Sequence, residues 1–175
     1  MSNVSRQMST EPALEREAFR VATASIRRHS MNVELWKHTL IGMLHPELST
    51  LVSLEANESV MVSAFINAAS WYAFTTRRMV SQLHGVRQEI DPRYGITYEV
   101  GNFKGIGPKG TSGAVPTEVG KVTSLRPPDA LQFEFETANA SMAPVYACIF
   151  WSRATRFHHP PRPTGIAGSG GENDG

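Results

Sequence analysis

The amino-acid sequence predicts an α+β protein, with helices in the first half packed on a small, mainly antiparallel sheet in the second. Three observations predict it. Apolar residues recur at helical spacing through the first half of the chain. After Asp91-Pro92 they alternate with polar residues instead. Tight turn signals such as Arg126-Pro127-Pro128-Asp129 join the alternating segments and favour antiparallel neighbours.

The first helix is expected over about 11–29. Thr10 stands where a cap belongs and Pro12 falls in the first turn, where its missing N–H costs nothing. Leu14, Ala18, Val21, Ala22 and Ile26 make its apolar stripe, widened by Phe19. A second helix is expected over about 33–44, capped by Asn32, with Val33, Trp36, Leu40, Met43 and Leu44 inward. It ends at His45-Pro46, because a residue before proline avoids the α region. The period of 47–66 does not decide between strand and helix. A long central helix is expected over about 59–84, on a stripe running from Val62 and Phe65 through Ala69, Tyr72 and Met79 to Leu83. Gly85 suits its C-terminal end. The stretch 59–65 also alternates like a strand.

Four strands are expected near 95–103, 117–125, 130–137 and 144–152. The last is a continuous apolar run, as a strand buried on both faces would be. The chain then reads as a single domain over 11–157 between two ends expected to be disordered, 1–10 and the Pro/Gly-rich 158–175.

Composition narrows the function classes. With 17 Lys+Arg against 16 Asp+Glu, the net charge of +1 gives no bulk pull toward nucleic acid or membrane. The lone cysteine, Cys148, excludes an intramolecular disulfide and any zinc site built on several cysteines. It lies in the apolar run VYACIFW, which predicts a buried, inert thiol. No stretch approaches the ~18 apolar residues of a membrane span. No signal peptide is visible, so the expected location is cytoplasmic or within a virus particle.

The motifs that look chemical lack their context. Gly105-Ile106-Gly107-Pro108-Lys109-Gly110 fits G-x-G-x-x-G, but no helical pattern follows to face a pyrophosphate. The glycine-rich stretch 104–116 reads as a long loop, functional or mobile. Gly110-Thr111-Ser112-Gly113 matches only four residues of a chymotrypsin-like nucleophile loop, behind a helical first half. His38 and His45 lie seven apart, with nothing to complete a metal-ligand set. Glu134 and Glu136 share one strand face, expected to be solvated. The residues thus suggest no catalytic group, no metal site and no cofactor, and the reading leans away from an enzyme.

Two surfaces carry the functional expectation. Val60, Asn67, Trp71, Phe74 and Arg78 repeat along the back of the expected long helix, as a partner interface would. Arg16, Arg20, Arg27 and Arg28 on the first helix form a candidate nucleic-acid surface. Separately, Arg153, Arg156 and Arg162, interleaved with Trp151 and Phe157, form a second candidate patch. The leading expectation is a non-catalytic structural or interaction protein that self-associates as a homo-oligomer, with nucleic acid as a further partner, in the manner of a viral coat, nucleocapsid or matrix-type subunit. The runner-up is a small enzyme or ligand-binding domain. In order of elements and length the chain resembles the NTF2-like fold, which implies helices closing over a curved sheet and an apolar pocket, with His84, Tyr98 or Glu134 as its polar groups. A third class is an adaptor whose segment His159-Pro160-Pro161-Arg162-Pro163 docks in a partner's aromatic groove.

Overall fold

A computed structural model describes residues 11–108, 115–154 and 157. The termini expected to be disordered, the cap Thr10, and Arg156, Arg162 and the Pro-rich segment therefore lie outside the described residues. The fold is mixed α+β. Among the described residues, helix α1 (Glu11–His29) is followed by eight strands and helix α2 (Met142–Arg153). Strands β1 (Thr39–Ile41), β2 (Val60–Asn67), β3 (Ser70–Thr75), β4 (Met79–Leu83) and β5 (Val86–Ile90) form one antiparallel sheet in sequential order. Strands β6 (Ile96–Glu99), β7 (Thr117–Leu125) and β8 (Pro128–Glu136) form a second.

The long helix expected over 59–84 is instead the hairpin and meander β2–β3–β4. The reason is burial. All six residues of β3 are buried, as are the first five of β2. A segment covered on both faces is apolar at nearly every position, and such a run fits a helical stripe as well as a strand. Tyr72 and Phe74 turn toward the second sheet, where Phe133 meets their rings edge-on at 5.2 and 5.0 Å. Trp71, Ala73 and Val80 turn the other way and are covered by Leu48 and Val52 of the segment between β1 and β2. Gly85 ends no helix. With His84 it makes the two-residue turn of the β4–β5 hairpin, both residues at positive φ (50° and 83°), as the right-handed twist of paired strands requires.

The helix expected over 33–44 is also absent. Val33–Leu35 is a single 3-10 turn preceded by Asn32 in the left-handed region. The chain then enters β1, whose Thr39, Leu40 and Ile41 pair with Ala64, Ser63 and Val62. Pairing with a sheet edge outweighs weak local propensity here. The strand expected over 144–152 is α2. Its apolar run reflects a helix covered on most sides, and Pro144 sits in the first turn, where it is tolerated. Small residues on both helices, Ala18 and Ala22 with Ala143 and Ala147, belong to the same core. The expectations at 11–29, 117–125 and 130–137 agree with α1, β7 and β8, and β6 occupies part of 95–103.

Leu131, Phe133 and Phe135 project from β8 between the two sheets. The Ser81 hydroxyl of β4 donates to the Gln132 carbonyl at 2.6 Å, joining the sheets directly. The helices pack on each other and against β2 and β6. His29, closing α1, stacks on Tyr146 of α2 with ring centroids 3.9 Å apart. The end of β8 lies beside the loops that precede β1 and β7.

Candidate interaction site

The residues expected to form a partner interface do not share a surface. Val60, Trp71 and Phe74 are 4, 1 and 0% exposed, so their area is spent inside the chain. Asn67 ends β2, and its side-chain oxygen accepts from the Ala69 N–H of the β2–β3 turn at 2.8 Å. Arg78 is held in an ion-pair cluster. The correction follows from the missing helix: residues spaced along one helical face alternate across a sheet instead.

The described members of the two expected basic patches stand on the two helices. Arg16, Arg20, Arg27 and Arg28 are exposed along α1, and Arg153 is exposed where α2 ends. Arg20 forks onto the Glu17 carboxylate at 2.7 and 2.8 Å. Arg27 lies over Gly42, where an added Cβ would stand 2.9 Å from its Nη2. His29 stacks on Tyr146, so the C-terminal end of α1 adjoins the first half of α2, while Arg153 stands about 10 Å further along that helix.

A polar cleft of about 380 Å³ collects Arg77, Arg78 and Arg93 with Glu11, Glu55, Glu89 and Asp91. Each arginine is matched. Arg77 bonds Glu15 and Glu55, both at 2.5 Å, and Arg93 bonds Asp91 at 2.8 Å. Arg78 Nε donates to Glu58 Oε1 at 2.9 Å, and the Glu58 side chain is fully buried. Burial opposes ionisation of Glu58 most strongly. The Glu55 N–H, the Thr75 hydroxyl and Arg78 reverse that effect and hold the carboxyl below the usual range. The cluster ties the start of α1 to the β3–β4 turn and to segment 53–58, which is structural work. Its members are scattered in sequence, and no motif spacing announces them.

The other surface is a corner built from two loops, both fixed by the end of β8. The Glu136 carboxylate accepts from the N–H groups of Lys37 and His38, at 2.9 and 3.1 Å, and from the Thr39 hydroxyl at 3.2 Å. It therefore clamps the exit of loop 30–37, and the expectation that Glu136 is only a solvated residue is corrected. Within that loop the Trp36 indole donates to the Met31 carbonyl at 3.1 Å. One residue past the strand, the Thr137 N–H bonds the Pro116 carbonyl, and the Ala138 N–H bonds that of Phe103. The Asn102 side chain closes loop 101–107 by exchanging two bonds with the Ile106 backbone. Gly105 at φ 65° packs so tightly that an added Cβ would lie 2.5 Å from Thr137 Oγ1. Gly105 thus serves a turn rather than a phosphate loop, and 109–114 lie outside the described residues.

Between the two loops is a depression of about 400 Å³ lined by His29, Met31, Phe103, Lys104, Asn139 and Met142, with Ala138 at its side. Met31, Val33 and Leu35 stand 64, 45 and 69% exposed within five residues, and Ile106 on the facing loop is 67% exposed. Lys104 Nζ lies 5.9 Å from the centre of the Phe103 ring. Isolated exposed apolar residues are ordinary; here four of them stand on two loops that are anchored from the end of β8. Sequence reasoning assigned Val33 to a buried stripe and passed over Met31, Leu35 and Ile106. The available signal was M-N-V-E-L-W, apolar at alternate positions between Arg28-His29 and Lys37.

Other candidates separate. His84 lies in a hairpin turn, Tyr98 is on β6, and Glu134 accepts from the Thr117 hydroxyl at 2.7 Å, so three elements carry the three polar groups. The space between the sheets is filled by the Tyr72, Phe74, Phe133 and Phe135 rings. His38 and His45 both meet Phe65: the His38 ring nitrogen pairs with its carbonyl at 2.9 Å, and the His45 ring stacks on its ring. Burial pushes the His45 pKa down. Among the described residues no three His, Cys, Asp or Glu side chains are grouped to hold a metal ion. Burial pushes the Cys148 thiol pKa well up, so the group stays protonated. No described helix is long and apolar enough to cross a membrane. In comparisons with known proteins, no family, no curated protein and no solved structure matches the chain.

Proposed function

We propose that this chain is a non-catalytic interaction protein and that it makes its contact through the corner formed by loops 30–37 and 101–107. The observation that supports the reading is the exposure of Met31, Val33, Leu35 and Ile106 on loops pinned from beneath by Glu136 and Ala138. Rigid anchoring keeps this apolar area in water when no partner is present, and only a bound partner relieves that cost.

The test is a photo-crosslinking amino acid placed at Leu35 in cells producing the full chain, compared with the same group at Val86. Val86 is 62% exposed on β5, at the opposite edge of the first sheet from β1. Adducts enriched at Leu35, whether to a second copy, another protein, nucleic acid or lipid, support the reading. Equal labelling at both positions overturns it. Self-association is the form of this function expected from the sequence. Light scattering on a sizing column, read at two wavelengths, tests it together with nucleic-acid carriage. A homo-oligomer that dissociates in Leu35→Asp would place the self-contact at this corner, and a clean monomer removes the self-assembling form.

A further inference from the structure

We draw no further inference here: the strongest candidate, the depression between loops 30–37 and 101–107 at the start of α2, belongs to the contact surface already described, and nothing in the structure shows what covers it.

Discussion

Replacing Arg78 by alanine tests the ion-pair cluster at its most buried point. Arg78 donates to Glu58 through Nε and Nη2, at 2.9 and 3.4 Å, and through Nη2 to the Ser53 carbonyl at 2.5 Å. The Arg78 side chain is 18% exposed and that of Glu58 is 0% exposed. Removing one member of a buried pair leaves an uncompensated charge and costs about 3–5 kcal/mol. The Glu55 N–H and the Thr75 hydroxyl remain on Glu58 in the variant, which favours the lower end, about 3 kcal/mol. With a urea m-value of about 2 kcal/mol per molar, the unfolding midpoint should fall by about 1.5 M at pH 7. The contact of Arg78 with Glu89, whose side chain is 45% exposed, adds little.

The pH dependence gives an independent check. Glu58 in the folded protein titrates below the value of about 4.3 for an unfolded glutamate. Its stabilising effect is therefore complete above that value and is lost as pH falls through the folded-state pKa. Without Arg78, burial is opposed less and the folded-state pKa rises, so protonation relieves the variant at a pH where the parent is losing stability. The difference between the two proteins should be largest near neutral pH and should shrink toward pH ~4. Urea titrations monitored by circular dichroism across that range measure it. A loss below about 1 kcal/mol at pH 7, or a difference that does not change with pH, would refute the reasoning.

Three further predictions concern other parts of the fold. Gly105→Ala should cost about 2 kcal/mol or more, because the residue sits at φ 65° with Thr137 Oγ1 and the Val115 carbonyl at 2.5 and 2.7 Å from the new Cβ. A thermal scan showing no loss would contradict that close approach. Phe133→Ala removes a ring that contacts Tyr72, Phe74 and Phe135 and should cost about 3–5 kcal/mol, read as a lower denaturant midpoint. Cys148 is fully buried and its thiol stays protonated, so a disulfide reagent should react only as fast as the native fold opens and immediately in urea; rapid labelling of the native protein would refute its burial.

The sequence by itself determined the mixed class, helix α1, and the strands whose two faces differ. Leu131, Phe133 and Phe135 alternate with Gln132, Glu134 and Glu136 because one face of β8 is core and the other meets water or polar partners. That asymmetry is what a periodicity reads. Where an element is covered on both sides the asymmetry disappears. The apolar runs of β2, β3 and α2 therefore carried no period that separates helix from strand, and the first two were read as helix and the third as strand. Signals that would have reversed those readings were local: His84-Gly85 as a hairpin turn and Pro144 in a first helical turn.

The corner was less legible, for a different reason. Its two loops are about seventy residues apart in sequence and are brought together by Glu136 and Ala138 at the end of a third segment. An exposed methionine or leucine looks the same in a sequence as a buried one. Only the tertiary structure decides which apolar side chains the core has room for, because that depends on which surfaces the strands and helices have already covered.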